Sequence, residues 1–203
     1  MILARVVLQV LALVGPLALG ILMRLNQPRS SSPPPAPSPH DRPVEERRGS
    51  RMPTVLTYCA MLLFVVALNL PFVSFPGLDD AALLALAAIG LVVDAAGVGI
   101  AYWARSSLGA AWGLLPRAGG ATGLVTSGPY ARVRHPVYLG FALGLLGVAL
   151  AFANWAALLI CFLLILPGLV WRAVEEERVL ADTFGDEYRL YRQRTKMIVP
   201  FLL

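Results

Sequence analysis

The chain has 203 residues, 58% of them hydrophobic and only 14% charged, with a mean hydropathy of +0.70. Soluble domains carry about 25% charged residues, so the composition excludes an ordinary soluble fold and points to an integral membrane protein. The formal charge of +5 reads as membrane topology and affinity for anionic lipid, not as nucleic-acid binding.

A helix needs roughly 20 apolar residues to cross a hydrocarbon core of about 30 Å. Five stretches approach that length. The first, Ile2–Met23, is interrupted by Arg5 and Gln9. Its length, and the lack of a small-x-small cleavage site after Met23, favour a retained span over a signal peptide. Residues 28–43, rich in Pro, Ser and Arg, cannot form a helix or a core and should run as an extended linker. His40 lies in that linker and is assigned no role. This divides the chain into an N-terminal transmembrane helix at 1–24, a Pro/Ser/Arg-rich linker at 25–51 and a working unit at 52–203, with the first span as an appendage.

The second stretch, Val55–Phe75, contains Asn69, and the third, Ala81–Ala104, contains Asp94. An acid inside a span is a functional candidate by default, although a local polar contact accounts for both residues. Segment 105–136 is Gly-rich and ends in Thr126-Ser127-Gly128-Pro129-Tyr130. No Gly-x-Gly-x-x-Gly follows a strand pattern, so a Rossmann nucleotide site is not indicated. The fourth and fifth stretches, Val137–Ala153 and Trp155–Trp171, are short and split by Asn154, which suggests a tight helical hairpin. Trp103, Trp112, Trp155 and Trp171 fit an interfacial belt. Cys59 and Cys161 sit inside apolar spans, read as small buried hydrophobes, and have no spacing for a disulfide or zinc site.

After Trp171 the character changes. Leu180, Phe184, Tyr188 and Tyr191 recur at spacings that mark one face of a helix, and Glu176 and Glu177 fall on or beside that stripe. Gly185-Asp186 could break this helix and cap another. The basic residues settle orientation. Segment 24–52 holds six Arg against three acids, segment 105–136 holds four Arg and no acid, and the tail from Arg172 holds six basic residues. The loop between the second and third spans holds only Asp79 and Asp80. Five spans put every basic segment on the cytoplasmic side, with the N-terminus outside and the C-terminus inside.

Two clusters carry chemistry. In Arg134-His135-Pro136-Val137-Tyr138-Leu139-Gly140, the residue before proline is pushed out of the helical region and proline favours the first helical position. A helix should therefore begin at Pro136 with His135 at its cap. Its positive end favours an anionic group, with Tyr138 within the first turn. The bland alternative is an ordinary span end with an interfacial aromatic and snorkelling bases. In the second cluster, Arg172 and Glu176 are helical neighbours four apart. An Arg fork suits a carboxylate and a Glu suits an ammonium, while a solvated charge run is the alternative.

Taken in order, Leu124-Val125-Thr126-Ser127-Gly128-Pro129-Tyr130, Arg134-His135-Pro136-x-Tyr138-x-Gly140, Arg172-x-x-x-Glu176-Glu177, Phe184-Gly185-x-x-Tyr188-x-x-Tyr191 and Pro200 resemble the isoprenylcysteine carboxyl methyltransferase family and the related phospholipid N-methyltransferases. The resemblance covers about residues 105–203. It implies an all-helical membrane fold, which with the stretches above gives an all-α integral membrane protein of about five transmembrane helices, the last two a helical hairpin, plus a cytoplasmic amphipathic C-terminal helix. It also implies an S-adenosylmethionine-dependent methyltransferase, with the cofactor site within 122–203. By the same resemblance the cofactor would touch Leu124, Val125, Tyr130, His135, Pro136, Val137, Tyr138 and Glu176. Arg172 and Glu176 would be the catalytic pair, and no metal is implied. Thr122 and Lys196-Met197 depart from the family pattern and leave the acceptor open. That acceptor would be a lipophilic small molecule or lipid bearing a carboxylate or another nucleophile. A steroid-reductase-like membrane enzyme using NADPH and a non-catalytic membrane protein are the alternatives. The Ala-, Arg- and Gly-rich, Lys-poor composition suggests a bacterial source and so an inner-membrane protein, and the orientation set by the basic segments puts its active site at the cytoplasm.

Overall fold

The computed structural model describes residues 2–25, 52–70, 75–109 and 123–199. Most of the linker, Trp112 and Thr122 lie outside the described residues. The described chain is all-helical: α1 (Ile2–Leu25), α2 (Met52–Leu68), α3 (Asp80–Leu108), a 3-10 turn (Gly128–Ala131), α4 (Pro136–Ala151) and α5 (Trp155–Arg194). Among them, α3 and α5 are long and apolar enough to cross a membrane, and the apolar stretches Ile2–Ala18, Met52–Leu68 and Pro136–Ala151 are shorter.

The helix directions follow from which residues meet. Glycines of α3 and α4 face one another across an antiparallel seam. A Cβ on Gly97 would overlap the backbone of Gly144, and one on Gly147 would overlap that of Asp94. Small residues let helix backbones approach closely where lipid supplies no hydrophobic drive. The seam is lined by Ala87, Gly90, Gly97, Ala101 and Ala104 from α3, all buried. α1 runs parallel to α3. Its Gly15 lies against Asp94 and Val98, Ala12 is fully buried and Gln9 donates to the Ala151 carbonyl at 3.3 Å. α2 runs antiparallel to α5, with Thr57 against Gly168 at one end and Asn154 donating to the Ala67 carbonyl at 2.8 Å at the other. Successive helices therefore alternate in direction, and the N-terminal end of α4 lies at the same end of the bundle as the C-terminal end of α3.

The expected hairpin is present. Buried Asn154 caps the second arm by accepting from the Ala157 amide at 2.8 Å, and Ala153 takes φ 49° to make the turn. Asn69 is not inside a span. α2 ends at Leu68, and Asn69 is exposed and donates back to the Val65 carbonyl. Cys161 is buried, as expected, but Cys59 is on an exposed face of α2.

The C-terminal helix expected after Trp171 continues α5 as far as Phe184; at Gly185, with φ 53°, the backbone leaves the helical region and a second segment runs on to Arg194, the break that Gly185-Asp186 suggested. Inside α5, Cys161–Ile165 form a π turn in which the Leu166 amide bonds the Cys161 carbonyl. Pro167 explains it. A proline within a helix lacks the N–H its turn needs, and its ring strikes the carbonyl four residues back, so the backbone widens just before it. The wide turn also sets the phase. Ala157, Cys161, Ile165, Leu169, Ala173 and Glu177, four apart throughout, are all buried. In an unbroken α-helix, a period of four drifts around the axis at 3.6 residues per turn. Exposed Trp103 and Trp155 lie near helix ends, and exposed Trp171 lies inside α5 where its apolar stretch gives way to the charged tail.

Candidate functional site

The site forms where α4 begins and α5 leaves the apolar bundle. Pro136 occupies the first turn of α4 and His135 is its cap, with no side-chain cap hydrogen bond. The loop before it is fixed from two directions. Gly128, at φ 62°, presses against the Ser107 side chain of α3. The tail then pairs with it: the Arg134 amide donates to the Lys196 carbonyl at 2.8 Å, the His135 amide to Met197 at 2.9 Å, and the Lys196 amide to Arg132 at 3.2 Å.

His135 and Tyr138 stack at 5.4 Å with their planes within 4°. The Tyr138 hydroxyl donates to Glu176 Oε1, the same oxygen that accepts from Arg172 Nε at 3.3 Å. The Arg172 guanidinium lies 5.7 Å from the Tyr138 ring centroid. Glu176 Oε2 lies 3.7 Å from His135 Nδ1. The structure thus brings together four of the residues singled out in the sequence: His135, Tyr138, Arg172 and Glu176. The Arg172 and Glu176 side chains are 36% and 45% exposed. Exposed pairs of this kind are worth about 0.2–1 kcal/mol, so a ligand can draw either partner away at little cost.

The other sequence candidates lie differently. Tyr130 and Val137 are buried with Ala104, and half-buried Val125 packs against this cluster with Leu108. Pro136 is fully buried. Leu124, next to Val125 in sequence, is half-buried. These residues form an apolar wall behind the helix start, not part of the polar cluster. The Tyr130 carbonyl accepts from the Tyr191 hydroxyl at 2.7 Å. Burial pushes the Tyr191 phenol up to about 12, which keeps it a donor at neutral pH.

Glu177, to which the sequence motifs assign no role distinct from that of Glu176, is central to the geometry. Glu177 is 5% exposed. Its Oε1 accepts from Arg134 Nε at 2.6 Å and lies 3.6 Å from His135 Nε2, and its Oε2 lies 3.4 Å from Arg192 Nε. Burial pushes this carboxyl up, but His135 and Arg134 beside it outweigh burial and hold it below the usual carboxylate range. Arg134 Nη1 also donates to the carbonyls of Thr195 and Arg192. The stripe of buried positions contained the signal for Glu177. At 3.6 residues per turn, Glu177 lies nearer than Glu176 to the centre of the face that Leu180, Phe184, Tyr188 and Tyr191 mark.

The chain is similar to proteins of known kind. Residues 85–187 match the family model described as phospholipid methyltransferase. The protein-S-isoprenylcysteine O-methyltransferase of Schizosaccharomyces pombe is 37% identical over 79 residues, 39% of this chain and 34% of that protein. Methanethiol S-methyltransferase 1 of Bradyrhizobium diazoefficiens is 39% identical over 75 residues, 36% of this chain and 24% of that protein. The aligned region thus spans about a third or less of these relatives. The structure of a eukaryotic intramembrane Ras methyltransferase, isoprenylcysteine carboxyl methyltransferase, shares the fold. It superimposes with a TM-score of 0.53 at 22% identity, covering 89% of this chain and 60% of that one.

Proposed function

Since the chain belongs to the phospholipid methyltransferase family, which matches it over residues 85–187, we propose that it is an S-adenosylmethionine-dependent membrane methyltransferase acting on a lipophilic acceptor. The observation that carries this reading is the convergence of Tyr138 and Arg172 on one half-exposed carboxylate, Glu176, beside the cap of α4. An accessible carboxylate beside a guanidinium and an aromatic ring suits a ligand with both ammonium and carboxylate groups. These residues fit an amino-acid sulfonium better than the phosphates of a dinucleotide, for which the sequence has no Gly-x-Gly-x-x-Gly after a strand pattern.

Bound S-adenosylmethionine would supply an electrophilic methyl group on a positively charged sulfur, open to in-line displacement by the acceptor. The protein's part is chiefly positioning. Glu176 would hold the ammonium or a ribose hydroxyl, and Tyr138 would orient Glu176 through its hydroxyl. His135, stacked on Tyr138, would line the same side. Arg172 would orient an acceptor carboxylate by its planar fork. A carboxylate acceptor has no proton to lose. A thiol or amine acceptor does, and His135, beside Glu176, would then be the group to receive it. Leu124, Val125, Tyr130, Pro136 and Val137 would supply the apolar backing. In this reading the chain crosses the bilayer five times in a bacterial inner membrane. The site faces the cytoplasm, the catalytic unit is 52–203 and α1 is packed against it.

A thermal-shift comparison in detergent tests the cofactor. S-adenosylmethionine and its demethylated product should each raise the melting temperature, and NADPH should not. Stabilisation by NADPH alone would mean a reductase. Tyr138→Phe and Glu176→Gln should each weaken S-adenosylmethionine at least tenfold, and unchanged affinity in both would remove them from the site. Transfer of a labelled methyl group to a membrane extract, followed by identification of the labelled product, would name the acceptor.

A further inference from the structure

Glu176 and Glu177 are adjacent in sequence, yet they reach the same imidazole from opposite sides. Glu176 approaches Nδ1 at 3.7 Å from the open side, and Glu177 approaches Nε2 at 3.6 Å from the buried side. Neither distance is a hydrogen bond, and buried Nε2 makes none among the described residues. The ring is therefore held by its surroundings: the Tyr138 stack, the backbone bond to Met197 and the buried carboxylate. That carboxylate also anchors Arg134, whose one ion pair among the described residues is with Glu177. From there Arg134 reaches the tail carbonyls of Arg192 and Thr195.

We propose that Glu177 is a positioning residue. Acting through Arg134, it ties residues 195–197 to the start of α4 and so holds His135 and Tyr138 in the arrangement that Glu176 shares with a ligand. The tail then becomes a structural member of the site although it supplies no group to the ligand. The chain of contacts is continuous. Glu177 fixes the Arg134 guanidinium, and Arg134 fixes the end of α5 and Thr195. The Lys196 and Met197 carbonyls receive the Arg134 and His135 amides, while the Lys196 amide returns to Arg132. Tyr191 reinforces it by bonding the Tyr130 carbonyl in the same loop. The part of this inference that concerns a ligand rests on the cofactor reading above, and the part that concerns the tail does not.

Hydrogen exchange on the full chain in nanodiscs, without cofactor, tests it. In Glu177→Gln, exchange in peptides spanning 132–138 and 195–199 should rise at least tenfold, while peptides of the glycine seam in α3 and α4 keep the wild-type rate. Affinity for S-adenosylmethionine should fall at least tenfold in the same variant, with Glu177→Asp between it and wild type. A second variant avoids the buried charge. Lys196→Pro, at an exposed position, removes the amide that bonds Arg132 without touching the buried carboxylate, and it should loosen the same two peptides and weaken the cofactor. Unchanged exchange at 132–138 in either folded variant overturns the proposal, and so does a rise that is equal throughout the seam. If exchange rises locally while S-adenosylmethionine is never bound by the wild type, the tail linkage stands and the cofactor reading falls.

Discussion

Tyr138 shows how much weight one side chain bears in this site. Its ring is a platform for His135 on one side and lies near Arg172, while its hydroxyl engages Glu176. Glu177, next in sequence to Glu176, stands in a different electrostatic environment. Its carboxyl ionises below the ordinary carboxylate range because His135 and Arg134 outweigh the effect of burial. A depressed folded pKa contributes stability that is fully present above the unfolded value, about 4.3. That stability is lost as pH falls through the lower folded value. The melting temperature of the wild type should therefore drop as the pH is taken below about 4.3. Glu177→Gln should start lower at pH 7 and show a shallower acid drop, as followed by thermal shift across pH 3–7. Removing one partner of a buried ion pair costs about 3–5 kcal/mol, against about 0.2–1 kcal/mol for the exposed Arg172–Glu176 pair. This contrast separates the glutamate that organises from the one free to meet a ligand.

The seam between α3 and α4 governs at the level of elements. At Gly147 an added Cβ overlaps the Asp94 backbone, whereas at Gly99 it meets nothing within 4 Å. Gly147→Leu should therefore cost at least the 1–3 kcal/mol typical of overpacking, seen as lost yield and a lower melting temperature. Gly99→Ala should be neutral or gain about 0.5–1 kcal/mol, because alanine is the better helix former. The same elements show what could be read from sequence. The start of α4 was legible because Pro136 fixes a helix boundary by local sterics alone. The hairpin tip was legible because Asn154 interrupts an apolar run and is a strong cap. The seam was not, because a glycine's packing partner lies some fifty residues away and nothing local marks it. Nor was the continuity of α5 legible. The tail's charges suggested a new element, but helix geometry persists through Arg172–Phe184 until Gly185 takes a positive φ.

For the whole molecule, α1 raises a question of unity. It packs on α3 and α4, buries Ala12 and places Gly15 against Asp94, which is 2% exposed. A carboxylate at the centre of a span costs about 2.5–3.5 kcal/mol on insertion scales, and α1 is one of the covers that keep Asp94 from lipid. A chain of residues 52–203 alone should therefore melt lower than the full chain. Asp94→Asn should recover part of that loss in the shortened chain and change the full chain less. Equal melting of the two lengths would mean that α1 contributes nothing to the domain. Polar patterning in the sequence marked Asp94 as unusual, but its cover is tertiary and had no local signature.

The pairing of residues 132–135 with 196–197 also has a consequence in time. Chains are made from the N-terminus, so α1 to α4 and the apolar part of α5 precede the tail residues out of the ribosome. The bundle can insert and close its glycine seam while His135 still lacks its backbone partner. Any competence that depends on this pairing arrives only after Met197 has been added. A nascent chain already seated in the bilayer would remain inert until then.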